Sequence, residues 1–386
     1  MKTLNKSLNH GSVITSAMVI FSALAFVPQS AAATSFSQLN LVTDDQSVNH
    51  AKIQDGDLKN VWGISYSPTG PFWVSNNGTK TSTLYNVNPL TNATSKLGLT
   101  VSIPGNGSVT GQVFNGNSTA FNGDRFIFVS EDGTVSGWKP ALGTTAETLV
   151  AGSSANIYKG VAEATISGNS YIYAANFNSG DIDVIKGTPG APSLSGNFKD
   201  SSLSSDYAPF NIQNLNDKLY VTYAFHTPGS GDEMHGDHLG FVDVFSTQGD
   251  LLSRIASGGT LNAPWGLAIA PSSFGQFSGD LLVGNFGDGT INAGTINAFN
   301  LTTHHFDGQL TGTDGTPLSI DGLWALTVGN GGSAGSTQSI YFSAGPNEEN
   351  NGLFGTVAAV PVPAAVWLFG SALAGFGVFG RRQKAA

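Results

Sequence analysis

The sequence predicts an all-β fold, a six-bladed β-propeller, and three observations carry that expectation. Composition is the first: Gly supplies 50 of 386 residues and Phe 24, 40% of residues are hydrophobic, and only 11% are charged. Few Lys and Glu among many Gly, Asn, Ser and Thr disfavour long helices and favour short strands joined by tight turns. The second is an internal repeat in the range of about 40 to 60 residues, the period of a three- or four-stranded blade. The third is strand patterning. DRFIFVS, KLYVTYAF and DLLVGNF alternate or run apolar, as strands do in sheets packed on both faces.

The repeat is clearest in VWGISYSPTGPFWVSNNGTKTSTLYNV (61 to 87) and APWGLAIAPSSFGQFSGDLLVGNFGDGTINAGTINAFN (263 to 300). Both run aromatic-Gly-aliphatic, a Pro-containing turn, a strand ending in Asn, a Gly turn and a further strand. STAFNGDRFIFVSEDGTVSGW (118 to 138) keeps the second and third strands, and GVAEATISGNSYIYAANFNSGDIDVIKG (160 to 187) keeps all three. APFNIQNLNDKLYVTYAF (208 to 225) resumes after an insertion as GFVDVFSTQGDLLSRIA, and LWALTVGNGGSAGSTQSIYFSAGPNEENNGLFGTV (323 to 357) closes the series. Taking Trp62, Phe121, Val161, Phe210, Trp265 and Trp324 as equivalent marks gives spacings of 59, 40, 49, 55 and 59 residues, hence six units. One unit cannot bury both of its faces, so units stack, and closing the ring removes exposed sheet edges.

The two ends read differently. Lys2 and Lys6 precede the apolar stretch SVITSAMVIFSALAF and then PQSAAAT, with small residues at Ala31 and Ala33. That is the layout of a secretory signal peptide, residues 1–33, which signal peptidase removes after Ala33. At the other end residues 364–380 carry no charge and are followed by Arg381, Arg382 and Lys384. Seventeen residues at about 1.5 Å each reach roughly 25 Å, the short end of a membrane-spanning helix. Export followed by a basic terminus leaves the body outside.

That body, residues 34–360, holds 11 basic and 26 acidic residues, a net charge of −15, which repels phosphate backbones and excludes nucleic acid as a partner. The absence of Cys excludes thiol chemistry and Cys-ligated metals.

Two resemblances extend this reading. Pro361, Pro363, the run AAVWLFGSALAGFG and the closing Arg381 and Arg382 resemble the PEP-CTERM sorting signal of Gram-negative bacteria, with Val362 replacing the glutamate of the name-giving motif. The resemblance implies transient membrane insertion and recognition by an exosortase. It also implies removal of the tail (361–386) near residues 360–363 and delivery to the cell surface, outer membrane or exopolysaccharide matrix. The segments NLVTDDQSV (40 to 48), VWGISYSPTGPFWVSNNGTKTSTLYN and IDGLWALTVGNG with YFSAGPNEENNGLFG resemble an uncharacterised bacterial family of six-bladed, NHL-like propellers. That likeness implies a fold and an address and no assigned reaction.

Candidate site residues follow from the expectation that a propeller gathers strand ends at one mouth. Asn76, Asn176 and Asn285 recur before Gly-containing turns, a position that suits the tolerance of Asn for left-handed backbone. Glu163 places a carboxylate in the otherwise apolar GVAEATI. With Asn211 and Asp321 it forms a channel set able to hold a divalent cation through oxygen ligands. Such a set resembles the metal site of gluconolactonase-like propellers and raises a metal-dependent lactonase as the rival to a non-enzymatic binding protein. The insertion FHTPGSGDEMHGDHLG (225 to 240) concentrates His226, Asp232, Glu233, His235, Asp237 and His238, of which His235 and His238 are further metal candidates, although the spacing matches no established motif. Exposed Trp, Tyr and Asn on blade tops are expected to suit an exopolysaccharide, and a flat face an exported protein. No nucleophile elbow, metalloprotease helix or nucleotide-binding loop occurs.

Overall fold

In the computed structural model, which describes residues 1, 34–227, 229–287 and 292–360, six sheets follow one another along the chain, antiparallel except where the short Ile53–Gln54 runs parallel to Phe36–Thr43. Blade 1 comprises Val61–Ser65, Phe72–Asn76, Thr81–Val87 and Thr94–Ser102; blade 2 comprises Val109–Phe114, Phe126–Ser130, Val135–Trp138 and Glu147–Val150. Blade 3 has three strands, Tyr158–Ile166, Asn169–Asn176 and Asp181–Lys186. Blade 4 is built from Tyr207–Leu215, Lys218–His226, Phe241–Ser246 and Leu251–Ser257, and the short Glu233–Met234 pairs onto its second strand. Blade 5 runs Pro264–Ile269, Leu281–Asn285, Ile296–Phe299 and Phe306–Gln309. Blade 6 takes Leu323–Val328, Ile340–Ala344 and Leu353–Ala359 and then borrows Phe36–Thr43, which pairs antiparallel with Leu353–Ala359. The first strands of successive blades contact one another in order, and that of blade 6 returns to that of blade 1. The ring is therefore closed by chain segments about 310 residues apart, with no edge left on its inner circumference.

Strand alternation explains why each blade buries both faces. In Phe126–Ser130, Phe126 and Phe128 pack toward blade 1 with Trp73 and Trp138, while Ile127 and Val129 pack toward blade 3 with Tyr158 and Ile172. The same division holds in blade 3, where Tyr171 and Tyr173 meet Ile212 and Val221 of blade 4 and Ile172 and Ala174 meet blade 2. Among the described residues each of the six gaps between blades holds its own apolar cluster, and a seventh cluster lies on the axis.

The first strands share one irregularity. Each breaks register with its second strand at residues 61–64, 109–112, 158–160, 209–211, 264–266 and 323–326. A bulge re-aims a side chain and frees backbone groups. The bulged residues are Trp62, Thr110, Lys159, Phe210, Trp265 and Trp324, and they form the ring around the axis. Freed carbonyls find partners on the neighbouring blade: Thr110 Oγ1 donates to the Tyr158 carbonyl at 2.7 Å, Asn211 Nδ2 to that of Trp265 at 2.7 Å, and Ser343 Oγ to that of Trp62. Glycine follows the ring residue in four blades because the strands approach so closely. A Cβ on Gly63 would lie 2.7 Å from the Thr110 oxygen, and one on Gly266 would lie 2.7 Å from the Trp324 oxygen.

This register corrects two of the repeat marks. Phe121 lies in a turn with φ +49° and not on a first strand; the first strand of blade 2 is Val109–Phe114, whose VTGQVF carries Thr110 where the repeat leads one to look for an aromatic. Val161 stands two residues past the true equivalent of Trp62, which is Lys159.

No helix among the described residues is long and apolar enough to cross a membrane. The expected signal peptide and the tail, with Pro361, Pro363, residues 364–380, Arg381 and Arg382, lie outside the described residues.

Candidate functional site

The axis of the propeller is plugged. Trp62 and Trp324 stack with centroids 3.5 Å apart, Phe286 stacks on Trp324 at 4.0 Å, and Trp265 meets Trp62 and Trp324 edge-on at 6.3 and 5.8 Å. Phe177 and Phe210 complete the cluster. Burial of these rings divides the channel into two mouths of different chemistry, each a cavity of about 380 to 390 Å³.

The first mouth lies where the first strands begin and is acidic. Among the described residues six carboxylates line it: Glu131 from the blade 2 hairpin, Asp232 and Glu233 from the blade 4 insertion, Asp321 before the first strand of blade 6, and Glu348 and Glu349 from the blade 6 hairpin. Among them stands Lys159, which takes the ring position that blades 1, 5 and 6 give to Trp. Its side chain is 2% exposed, its Nζ lies 2.8 Å from Glu131 Oε1 and 3.7 Å from Asp232 Oδ1, and it sits 5.2 Å from the centroid of the Trp62 ring. The aromatic plug thus forms one side of the ammonium site and the carboxylates the other.

A chain of hydrogen bonds fixes this corner. Trp62 Nε1 donates to Asn60 Oδ1 at 3.1 Å, Asn60 Nδ2 to Asn77 Oδ1 at 3.3 Å, and Asn77 Nδ2 to Glu131 Oε2 at 3.3 Å, with Lys159 on the other oxygen of Glu131. Burial alone would drive the Lys159 pKa down, but the charges of Glu131 and Glu233 outweigh it and hold the ammonium above the usual lysine range. Glu233 is likewise buried, which would raise its pKa; the hydrogen bond with His235 and the Lys159 charge keep it below the usual carboxylate range. Glu349 has the opposite balance. Burial and the nearby Glu233 push it up to about 7. It follows Asn347 and Glu348 in three consecutive left-handed residues, at φ +58°, +53° and +61°, a turn held by the Asn347 N–H donating to Asp321 Oδ2 at 2.8 Å. Such backbone is costly for residues with a Cβ, and Asp321 is part of what sustains it.

The second mouth lies at the other ends of the first strands. Glu163 and Asn211 line it with Gln112, Gln213 and Asn214. The expected channel set is therefore not assembled: Glu163 and Asn211 share one mouth, Asp321 belongs to the other, and the aromatic plug stands between them. Burial raises the pKa of Glu163, and Thr165 Oγ1 donates to its Oε1 at 2.9 Å. Asn211 uses its amide to hold the Trp265 carbonyl. Asn76, Asn176 and Asn285 are buried and line neither mouth. They fasten hairpins: Asn176 Nδ2 donates to Asp183 Oδ2 at 2.9 Å while its Oδ1 accepts from the Ile157 N–H at 3.1 Å, and Asn285 Nδ2 reaches the Thr260 carbonyl at 2.8 Å. Asn76 donates to Thr81 Oγ1 and Thr83 Oγ1.

His235 reaches the acidic mouth, whereas His238 is exposed, pairs with Asp237 at 3.2 Å and lines neither cavity. No group of three or more His, Asp or Glu among the described residues is arranged to hold a metal ion. The metal implied by the gluconolactonase-like likeness therefore does not fit: its expected ligands are split between mouths, and the acidic mouth is centred on an ammonium. Among the described residues the Trp side chains expected as exposed platforms on the blade tops are buried: Trp62, Trp73, Trp138, Trp265 and Trp324. Lys159, Glu131 and Glu349 escaped the sequence reading; the one signal was a lysine at a repeat position that blades 1, 4, 5 and 6 fill with Trp or Phe.

No family model matches the chain. Two uncharacterised proteins of Acanthamoeba polyphaga mimivirus are each 29% identical, one over 330 residues (80% of this chain, 77% of the relative) and the other over 356 residues (86% and 88%). A third mimivirus protein is 33% identical over 207 residues, 52% of this chain and 37% of its own length. These relatives are viral, and they lend no support to the bacterial propeller family or to the sorting signal. Among solved structures, a streptogramin B lyase aligns with TM-score 0.45 at 12% identity over 85% of this chain and 98% of its own. The PQQ-bound aldose sugar dehydrogenase of Streptomyces coelicolor aligns with TM-score 0.49 at 14% identity over 86% and 99%.

Proposed function

We propose that this chain is an exported propeller of the cell surface or extracellular matrix that binds its partner at the acidic mouth without transforming it. The observation that carries the reading is Lys159: one buried ammonium, already ion-paired, faces six carboxylates, so the mouth keeps an excess of negative charge for a cationic group of a ligand. An ammonium or guanidinium carried by an exported protein, or the amine of an exopolysaccharide, has that chemistry. A phosphate-bearing nucleic acid has the opposite one. The exported address rests on the residues at the two ends, which call for signal peptidase after Ala33 and an exosortase near residues 360–363. A metal-dependent lactonase is not favoured, because the residues offered for its metal do not converge.

Titration of the full chain with trilysine and with its fully acetylated counterpart tests the binding reading. Saturable binding of trilysine alone is expected, weakened by Glu348→Gln, weakened by salt, and strengthened as pH rises through 7 and Glu349 ionises. Equal binding of both peptides, or a stoichiometric divalent cation in the purified protein, would replace the proposal. Mass spectrometry of the mature protein from its native cell tests the address, with Thr34 expected at its start.

A further inference from the structure

The second mouth has a chemistry of its own. It is lined by the amides of Gln112, Asn211, Gln213, Asn214 and Asn216 with the carboxylates of Glu163 and Asp217, and among the described residues no Lys, Arg or His reaches it. Several of its polar groups have bonding capacity left over. Ser65 Oγ is buried with no partner, Gln213 makes no side-chain hydrogen bond among the described residues, and Asn214 donates to the Glu163 carbonyl at 2.9 Å with its own oxygen unused. By contrast Gln112 and Asn211 are committed to the frame, through Gly63 and Trp265. Half-buried Tyr66 and Phe114 bring ring surface to the same cavity, and Tyr66 is anchored by its hydroxyl on the Val328 carbonyl at 2.5 Å.

We infer that this mouth is a second binding site, for a neutral sugar unit. An amide presents donors and an acceptor side by side, which matches adjacent hydroxyls that each donate and accept. The free amide groups of Gln213 and Asn214 are the ones open to such hydroxyls. The ring surfaces suit the C–H face of a pyranose. A volume of about 390 Å³ admits one or two sugar units. The absence of basic groups along the lining argues against an anionic ligand, and the scarcity of carboxylates sets this mouth apart from the acidic one. The site goes beyond the proposed function, since it lies on the other side of the aromatic plug and uses none of the same residues.

The test uses the full chain with D-glucose, D-galactose, D-mannose and maltotriose, read by saturation-transfer NMR on the sugar protons and by tryptophan emission, since Trp265 lines the cavity. At least one sugar is expected to bind saturably with a Kd of about 1 mM, and Gln213→Ala to weaken it roughly tenfold, the worth of a lost hydrogen bond in a half-buried site. Asn214→Ala carries the test if Gln213→Ala fails to fold by circular dichroism. Saturating trilysine is expected to leave sugar binding in place. The inference is overturned if none of the four sugars saturates, if neither variant weakens binding, or if trilysine displaces the sugar. Failure on the first two counts leaves the trilysine titration, and so the acidic mouth, unaffected.

Discussion

Lys159 is the residue on which the acidic mouth turns. A lysine that is 2% exposed survives in a protein only when its charge is matched, and here Glu131 and Glu233 match it. Lys159→Met removes the cation and leaves the buried Glu233 and the half-buried Glu131 without it. It is expected to lower unfolding free energy by about 3–5 kcal/mol in urea titrations, the usual cost of breaking a buried pair from one side. Glu131→Gln should cost less, because Glu233 and Asp232 still face the ammonium. Glu349 offers a second residue-scale prediction. Its proton leaves near pH 7 in the folded protein and near 4.5 in the unfolded chain, so between those values the folded state holds more protons. The stabilisation is full below pH 4.5 and is lost as pH rises through 7. Glu349→Gln should flatten that part of a melting-temperature profile recorded from pH 4 to 8, and an unchanged slope would mean that Glu349 ionises normally.

At the scale of the element, the bulged first strand is the unit that the sequence repeats. The bulge turns one side chain onto the axis, frees a carbonyl for the neighbouring blade, and brings the next residue against the adjacent strand. Gly266→Ala would place a methyl 2.7 Å from the Trp324 carbonyl oxygen, a backbone atom that cannot move without disturbing blade 6. A loss of about 1–3 kcal/mol is expected, the range for overpacking. Gly98→Ala, on the outer strand of blade 1 with nothing within 4 Å of its Cβ, serves as the comparison and should be near neutral or slightly stabilising. Equal effects at the two sites would remove the close-approach explanation for the repeated glycine. The Asn at the end of the second strand belongs to this scale too: in blades 3 and 5 its amide ties the hairpin to the loop that enters the blade, and in blade 1 it bonds Thr81 and Thr83 of the third strand.

For the whole molecule, closure of the ring depends on Phe36–Thr43 lying beside Leu353–Ala359. Phe36 also packs against Phe274 at 4.9 Å, and Leu41 and Val42 enter the cluster shared by blades 6 and 1. Removing residues up to 44 would expose the edge of Leu353–Ala359 and open those two interfaces. The truncated chain is expected to lose its single cooperative melting transition and to aggregate, and a synthetic peptide of residues 34–45 supplied in trans should restore the transition. A truncated chain that melts like the full one would show that closure contributes little. The same closure brings segments about 310 residues apart in sequence into one sheet, which slows folding relative to the local hairpins of each blade.

Taken alone, the sequence determined the strands, the number of blades and the overall charge, because each depends on spacing and composition that a local reading can recover. Apolar alternation identified Phe126–Ser130 and Leu281–Asn285 as two-faced strands, and Trp62, Phe210, Trp265 and Trp324 marked four of the six first strands. Blade 2 resisted because Thr110 replaces the aromatic mark, and blade 3 was read two residues out of place because Lys159 does. Only the tertiary structure decided which carboxylates meet. Glu131, Glu233 and Glu349 come from three different hairpins, and Glu163 faces away from Asp321 across a plug of tryptophans, because bulge geometry and ring closure set which end of each strand meets which mouth.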